Sequence, residues 1–250
     1  MQNYSQELWE QDGRARYTDK FISRFEESAK ALSRIDRVSN VPIINRLVRS
    51  MVTRMEKEYH WGQVLPIEDV EFVLDLQDSI VLLPCPCRKM TTGREARYCI
   101  GLGINITNVC GRYPDYFESM ELLEPDDAKR ILSTFDKEGL LHSIWTFKTP
   151  YIGAICNCDQ DCMAYRLQVK SGLMQMMFRS EYVGSINWDM CTGCKKCIKN
   201  CQFGAILYSI TNTKAVIDKS LCYGCGVCRT ACDHNAIELV PRTVHADLPW

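Results

Sequence analysis

The first 60 residues carry apolar positions spaced for helices. Over residues 17–38, hydrophobic side chains recur every three or four positions with charged residues between them, which predicts an amphipathic helix. A second helix is predicted after Pro42, because proline suits the first helical position and residues 44–55 again show the helical spacing. Residues 1–60 are therefore predicted to form a helical N-terminal segment.

Between residues 61 and 180 the hydrophobic pattern alternates between helical and strand-like stretches. Glu-Pro-Asp-Asp at residues 124–127 places acidic side chains where a helix begins, and Gly139 ends the same helix. The alternation predicts an α+β middle domain over this range. Its predicted elements are helices over 66–76 and from 124 to Gly139, a buried strand over 79–83, and a hairpin built from 142–147 and 151–155.

Cysteine is the residue type whose abundance sets this composition apart. The hydrophobic fraction of 46%, the charged fraction of 24% and the net charge of −1 describe an ordinary globular chain. The 15 cysteines are an odd number, and the opening Met-Gln-Asn-Tyr shows neither the basic nor the apolar region of a secretory signal. We therefore expect a cytoplasmic protein whose thiols are metal ligands or redox groups rather than disulfides.

Charge and hydropathy also exclude two kinds of partner. The sequence pI of about 6.4 argues against the broad basic surface that binding to nucleic acid or anionic lipid requires. Apolar runs stay far short of the ~18 residues that a membrane-spanning helix needs, so no transmembrane segment is predicted. Partners are expected instead among redox proteins or enzyme subunits, and the composition leaves the oligomeric state open.

The densest cysteine pattern lies near the C-terminus and occurs twice. Residues 191–201 read C-x2-C-x2-C-x3-C, and residues 222–232 repeat this spacing. Two-residue gaps let one tight loop contact three irons of a cubane, and Gly193, Gly224 and Gly226 permit the close backbone approach that this requires. The fourth cysteine of such a motif ligates the other cluster. The spacing thus predicts two [4Fe–4S] clusters, one held by Cys191, Cys194, Cys197 and Cys232 and the other by Cys222, Cys225, Cys228 and Cys201.

Residues 181–242 resemble the bacterial-type two-cluster ferredoxins. The resemblance implies a compact ferredoxin-like module of two hairpins and two short helices, in which each cluster carries one electron. Gln202 and Asp233 depart from the family pattern, because these ferredoxins usually have proline after the fourth cysteine of each motif. A pair of zinc sites is the alternative, although zinc ligand pairs are usually separated by longer gaps. We accordingly predict a two-cluster ferredoxin domain over residues 181–250.

Further cysteines stand in dense groups in the middle of the chain. Each C-x-C pair places two sulfurs on one short extended stretch, and Arg88 stands where it could compensate the negative charge of a bound cluster. Together with the C-terminal motif, this pattern resembles larger, little-characterised ferredoxin-like iron–sulfur proteins of anaerobic prokaryotes, from Gly62 onward. Cys110 is isolated and is not expected to be a ligand. The candidate metal ligands are Cys85, Cys87, Cys99, Cys156, Cys158 and Cys162.

Four interpretations of these middle thiols remain open. Four of the thiols could hold a third [4Fe–4S] cluster, or the group could hold two clusters of which one has incomplete or non-cysteine ligation. A four-thiolate zinc site is the third interpretation. The fourth is a redox-active dithiol or a set of inert buried cysteines. His142 in the predicted hairpin could be a ligand or a proton donor, but we expect it to be held by hydrogen bonds within the fold.

The predicted function is low-potential electron transfer. A multi-cluster iron–sulfur protein of this kind would relay single electrons, as a subunit or dedicated partner of a larger anaerobic oxidoreductase rather than as a catalyst itself. The alternatives are a reductase whose middle domain binds substrate at an open-site cluster, and an iron–sulfur sensor. Since each oxidised cubane with four thiolates adds a charge of about −2, we expect a partner with a basic docking face.

Overall fold

A computed structural model describes residues 60–103, 120–148, 151–172, 174–245 and 247–249, with six isolated helical residues nearer the N-terminus. The two N-terminal helices predicted before residue 60, and Cys110, lie outside the described residues, apart from those isolated positions. Within the described part of the chain, no helix has the length and apolar character needed to cross a bilayer. The predicted α+β class is confirmed, and the domain boundaries near residues 60 and 180 stay predictions.

The middle domain is built on one seven-stranded sheet. In chain order its strands are β1 (Gly62–Leu65), β2 (Ile80–Leu83), β3 (Cys99–Leu102), β4 (Glu121–Leu123), β5 (Leu141–Lys148), β6 (Tyr151–Cys158) and β7 (Met177–Phe178). Across the sheet they stand in the order β4-β2-β3-β6-β5-β1-β7. β7 runs parallel to β1, whereas the other neighbouring strands are antiparallel. The predicted buried strand is therefore β2, and the predicted hairpin is the pair of β5 and β6.

Two amphipathic helices cover one face of this sheet. The helices of the middle domain are α1 (Ile67–Asp75), α2 (Pro86–Thr92), α3 (Pro125–Lys137) and α4 (Met163–Tyr165), which continues into a π-helical segment (Arg166–Lys170). Acidic side chains in the first turns of α1 and α3 complement the positive end of each helix dipole, as predicted for α3. Leu74 of α1 and Leu132 of α3 are fully buried, and they pack in one core with Ile80, Ile100 and Leu102 of the sheet. These helices leave the opposite face of the sheet free for other side chains.

The opposite face carries a second core, into which cysteines of the middle domain are built. Trp145 of β5 and Met177 of β7 are almost fully buried there, together with Cys158 and Cys162. The same core extends to Val227, which belongs to the C-terminal domain. The two domains therefore share an apolar interior on the cysteine-bearing side of the sheet.

The C-terminal domain consists of two similar units, each with a strand, a cysteine loop, a short helix and a second strand. The elements are β8 (Tyr182–Ile186), α5 (Lys196–Asn200), β9 (Ile206–Ser209), β10 (Lys214–Ile217), α6 (Val227–Thr230) and β11 (Ile237–Pro241). β9 of the first unit pairs with β10 of the second, and β8 pairs with β11. Two strand pairs with two short helices thus form the ferredoxin-like module. The expectation of two hairpins holds only for β9 and β10, because β8 and β11 come from opposite ends of the duplicated region.

Gly193 and Gly224 occupy equivalent positions in the two cysteine loops, where no side chain fits. Both have a positive φ, of 71° and 70° respectively. A Cβ atom on Gly224 would lie 2.2 Å from the carbonyl oxygen of Tyr182, and one on Gly193 would lie 2.1 Å from that of Thr213. Each loop is therefore pressed against neighbouring backbone, and glycine is what permits this approach.

We predict that Gly224→Ala damages the second cysteine loop much more than Gly226→Ala. Gly226 also has a positive φ, of 81°, but a Cβ atom there would meet its nearest neighbour, Leu239, at 3.4 Å. The equivalent position of the first loop already holds Lys195, with a φ of 67°. Gly226→Ala should therefore cost about 1–2 kcal/mol from the positive φ alone, whereas Gly224→Ala adds a backbone collision. Anaerobic thermal melting and iron content of the full chain measure the difference, and equal losses in both variants would contradict the prediction.

Candidate metal centres

Four cysteines line a cavity in the C-terminal domain, which we call the first site. Cys191 and Cys194 lie in the loop before α5, Cys197 lies on α5, and Cys232 follows α6. Side chains from β8, β10 and β11 form the apolar wall of the cavity. Cys194 is exposed, whereas Cys197 is buried. The first site is therefore a thiol-lined cavity that reaches the surface at Cys194.

The equivalent cavity, which we call the second site, is lined by the other four cysteines of the duplicated motif. Cys222 and Cys225 lie in the loop before α6, Cys228 lies on α6, and Cys201 follows α5. Each cavity is thus lined by three cysteines of one motif and by the fourth cysteine of the other. Crossed ligation requires this arrangement, and the individual ligand assignments stay predictions.

Backbone N–H groups point at several of these sulfurs. Hydrogen bonds of this kind stabilise sulfur that carries negative charge, as metal-bound thiolates do. The alanine four residues after each fourth cysteine makes the same bond in both motifs. The bonded pairs are the N–H of Ala205 with Sγ of Cys201 (3.2 Å), that of Ala236 with Sγ of Cys232 (3.4 Å), and those of Gly184 and Gly224 with Sγ of Cys222 (3.4 Å each).

Burial makes several of these thiols reluctant to ionise on their own. It raises the pKa of Cys225 to about 12, and it also raises the pKa of Cys228 and of Cys197. Binding of cationic metal would offset this cost and release the thiol protons. Four thiols, apolar walls and backbone donors therefore fit a [4Fe–4S] cluster in each cavity.

Comparison with known proteins bears first on this duplicated region. The stretch from residue 190 to residue 237, which contains all eight of these cysteines, matches the family model described as 4Fe-4S dicluster domain. Residues 190–237 are a 4Fe-4S dicluster domain. The resemblance to two-cluster ferredoxins is confirmed, and iron–sulfur clusters are the cofactors that this domain supports.

Larger proteins with parts similar to this chain are oxidoreductase subunits by name. Indolepyruvate oxidoreductase subunit IorA of Pyrococcus abyssi is 28% identical over 119 residues, which cover 48% of this chain and 16% of that protein. A subunit of the ion-translocating oxidoreductase complex of Methanosarcina acetivorans is 49% identical over 49 residues, which cover 20% of this chain and 18% of that protein. The aligned part of the chain thus spans less than a fifth of the length of either relative.

The six candidate ligands of the middle domain come together on the sheet face opposite α1 and α3, at what we call the middle site. Alternation along β6 turns Ile155 into the helix-covered core, and Cys156 and Cys158 to the other face. In the antiparallel register, Cys156 stands directly across from Cys99 of β3. The thiols of Cys85, Cys99, Cys156, Cys158 and Cys162 lie close enough together to shift one another's pKa, and Cys87 lies beside them.

Two local expectations for the C-x-C pairs were wrong. Cys85 is extended, but Cys87 lies inside α2, because Pro86 starts the helix at once and suits its first position. Cys156 and Cys158 were expected on a stretch that follows a strand, and they lie within β6 itself. The pairs meet because β2 pairs with β3 and β3 pairs with β6.

Arg88 is a buried cation beside the middle site. The residue is 5% exposed, one Nη atom lies 2.7 Å from a carboxylate oxygen of Asp159, and the guanidinium stacks 4.0 Å from the centroid of the Tyr98 ring. Its Nε has no hydrogen-bond partner among the residues that the structure describes. This fixed positive charge stands where the sequence predicted compensation for a bound cluster.

The thiols of the middle site fall into two groups, one in which the pKa is lowered and one in which it is raised. Hydrogen bonds from neighbouring thiols lower the pKa of Cys85 to about 3 and that of Cys158 to about 5, against the effect of burial. The pKa of Cys87 is raised, chiefly by burial. Bonding to neighbouring thiols raises the pKa of Cys99, Cys156 and Cys162.

Across residues 60–103, 120–148 and the rest of the described chain, no three His, Cys, Asp or Glu side chains are arranged to hold a single metal ion.

Gln202 connects the second site to the middle site. Its Nε2 donates to the carbonyl oxygen of Gly139 at 2.7 Å and to that of Cys158 at 3.2 Å. The hydroxyl of Tyr165 in turn donates to the carbonyl oxygen of Gln202 at 2.6 Å. Proline at this position, as in the resembling ferredoxins, would lack the side-chain bonds. Gln202, the residue that departs from the family pattern, therefore joins the two domains.

A buried polar chain forms a second connection between the domains. Thr230 Oγ1 donates to Asp136 at 2.6 Å, the other carboxylate oxygen of Asp136 lies 3.4 Å from His142 Nε2, and His142 Nδ1 lies 2.6 Å from Asn157 Oδ1. Burial would raise the pKa of Asp136, but hydrogen bonds from His142 and Thr230 outweigh it, so the pKa is lowered. His142 is thus held within the fold by the bond of its Nδ1 atom, whereas its Nε2 atom faces the Asp136 carboxylate at 3.4 Å. This series of polar side chains runs from Asn157, which lies between two middle-site cysteines, to Thr230 on α6. No pattern in the sequence marks Asp136 or Thr230 as part of it.

We predict that Cys201→Ser damages the cluster of the second site and leaves that of the first. Cys201 belongs to the first motif in sequence but lines the cavity of Cys222, Cys225 and Cys228. EPR spectra of the reduced full-length protein, recorded with metal analysis, should show loss or conversion of one cluster signal. Cys232→Ser is the matched variant and should affect the other signal. The prediction fails if Cys201→Ser and Cys191→Ser remove the same signal.

We predict that Gln202→Ala weakens the contact between the domains, whereas the equivalent Asp233→Ala does not. Gln202→Ala leaves two carbonyl oxygens without their side-chain donor, at a cost of about 1–3 kcal/mol. Asp233 forms an exposed ion pair with Lys196, and solvent screens the attraction so that its contribution to stability is small. Hydrogen exchange of α3 and β6 in the metal-loaded protein reports the difference. Equal exchange in the two variants would contradict a connecting role for Gln202.

Proposed function

We propose that this chain relays single electrons between a third iron–sulfur cluster, held at the middle site, and the two clusters of the dicluster domain. We further propose that it works as a component of an oxidoreductase complex. The names of the relatives support this role, since one is a subunit of indolepyruvate oxidoreductase and another is a subunit of an ion-translocating oxidoreductase complex. The match to the dicluster domain supports the chemistry.

The gathering of six thiols beside the second site is the observation that carries the proposal. Cys158 and Cys162 pack in the same apolar cluster as Cys225, together with the rings of Phe203 and Tyr223. The Gln202 side chain also bonds the carbonyl oxygen of Cys158 directly. A redox centre at the middle site would therefore be a near neighbour of the second site.

The first and second sites are neighbours as well. Cys197 of the first site and Cys201 and Cys228 of the second pack in one apolar core with Cys232. The second site is thus a neighbour of both the middle site and the first site. Bound clusters would supply reversible one-electron changes, and the chain itself supplies apolar walls, N–H donors to sulfur and the Arg88 charge.

We predict that the full chain, reconstituted anaerobically, carries about twelve irons with matching acid-labile sulfide, four for each [4Fe–4S] cluster. Cys158→Ala should lower the iron content towards about eight, because it removes a thiol from the centre of the middle site. Cys110→Ala is the control variant and should leave the content unchanged. A third EPR signal should disappear with Cys158→Ala and persist with Cys110→Ala.

Two other metal contents would redirect the proposal. About eight irons and one zinc per chain would replace the third cluster with a structural zinc site, and the relay would then consist of the dicluster domain alone. About sixteen irons would indicate two clusters in the middle domain and would favour the reductase over the relay.

We also propose that the protein is cytoplasmic, because free thiols such as those of the fourteen described cysteines persist in a reducing compartment.

A further inference from the structure

The two cavities of the dicluster domain differ in what covers them. At the second site, the rings of Phe203 and Tyr223 stack with centroids 3.9 Å apart. The hydroxyl of Tyr223 accepts a hydrogen bond from Gln168 at 2.6 Å, and the guanidinium of Arg179 lies 4.8 Å from the Tyr223 ring. The second site therefore faces the rest of the chain. The first site instead reaches the surface at Cys194.

Exposed apolar side chains stand in and beside the segment that carries Cys194. Trp188 is 43% exposed, Met190 is 44% exposed and Ile210 is 85% exposed. Trp188 and Met190 directly precede the first cysteine loop, and Ile210 lies in the turn between β9 and β10. That turn is held against the loop, because Gly193 packs on the carbonyl group of Thr213. Single exposed apolar residues are ordinary, but these three belong to the segment before the first cysteine loop and to the turn that packs against that loop, and we call them the apolar patch.

Lysines border the same patch. Lys195 and Lys196 follow Cys194 directly, and Lys199 lies one helical turn after Lys196 on the exposed side of α5. Lys214 donates to the carbonyl oxygen of Trp188. Two aspartates stand nearby, Asp189 and Asp233, and the latter is already paired with Lys196. We call the patch and these lysines the first-site face.

We propose that the first-site face docks an electron-transfer protein whose own redox group is surrounded by acidic side chains. The inference rests on the proposed electron relay and adds the place and the charge of its partner. One electron passes between the cluster of the first site and the partner's redox group, one being oxidised as the other is reduced, with no bond or proton exchanged. The apolar patch supplies the contact, and the lysines steer an acidic surface. The proposal differs from the expectation, drawn from the charge of the clusters, that the partner has a basic face, and probes of opposite charge distinguish the two.

Stopped-flow electron exchange with two probes of opposite charge tests the proposal. The reduced, metal-loaded full chain is mixed with an acidic bacterial two-cluster ferredoxin or with basic cytochrome c. At low ionic strength the double variant Lys195→Glu/Lys199→Glu should slow exchange with the ferredoxin at least ~10-fold, and the difference should shrink in high salt. The charge-matched control Lys137→Glu/Lys170→Glu changes exposed lysines of α3 and the π-helical segment. It should leave the rate within about twofold of the unchanged protein.

Further variants keep the test independent of folding. Lys199→Glu alone and Ile210→Ser alter only exposed side chains, and each should slow exchange with the ferredoxin several-fold while iron content and EPR spectra stay unchanged. Equal rates for the face and control variants, with clusters intact, overturn the docking proposal and leave the relay standing. The docking proposal is also overturned if exchange with cytochrome c is faster than exchange with the ferredoxin and the face variants do not alter it. Self-association that Ile210→Ser abolishes would assign the face to a second copy and overturn the proposal. Absence of clusters from the unchanged protein would overturn the relay itself.

Discussion

The antiparallel pairing of β3 with β6 sets the geometry of the cysteine-rich half of this molecule. It places Cys99 opposite Cys156, and through β2, the other neighbour of β3, it brings the start of α2 to the same edge. Alternation along β6 then decides that its thiols face away from α1 and α3. A shift of one residue in this register would turn Cys156 and Cys158 into the helix-covered core. The middle site is therefore a property of strand pairing and not of any local motif.

Besides the apolar interior that the domains share, several polar contacts between them lie close to the candidate ligands. Gln202 follows Cys201 and bonds the carbonyl oxygen of Cys158, and Thr230 lies between two dicluster cysteines and bonds Asp136. Arg242 is fully buried and donates to carbonyl oxygens of Ser180, Tyr182 and Cys222. Because Gln202 and Arg242 bond the backbone carbonyls of Cys158 and Cys222, movement of one domain would change the surroundings of thiols in the other.

The dicluster domain could be predicted from the sequence because its information is local. Two-residue gaps, the repeated spacing and glycine at Gly193 and Gly224 all act within about a dozen residues, so residue order alone indicates the chemistry. The middle site depends on contacts between residues far apart in the chain. Spacing suggested its members but could not place Cys87 in a helix, because Pro86 permits both an extended and a helical continuation.

The sequence gives even less indication of residues whose role depends on their contacts in the folded protein. Gln202 was visible only as a departure from a family pattern, and its reason appears once Gly139 and Cys158 are seen beside it. Asp136 looks like any acidic residue of an amphipathic helix, although it is 6% exposed and bonded on both sides. Sequence patterns report the periodicity of an element, and they do not report which of its polar side chains will meet a partner.

The crossed lining of the two dicluster cavities has a consequence for how such a domain can arise. Neither unit encloses four thiols by itself, because each cavity takes its fourth cysteine from the other unit. A single ancestral unit would have completed its cavities only by associating with a second copy, as a symmetric pair in which each chain served the other. Joining two such units in one chain makes the exchange intramolecular and leaves each half free to differ from the other. Gln202 and Asp233, which are equivalent in sequence, accordingly engage different neighbours.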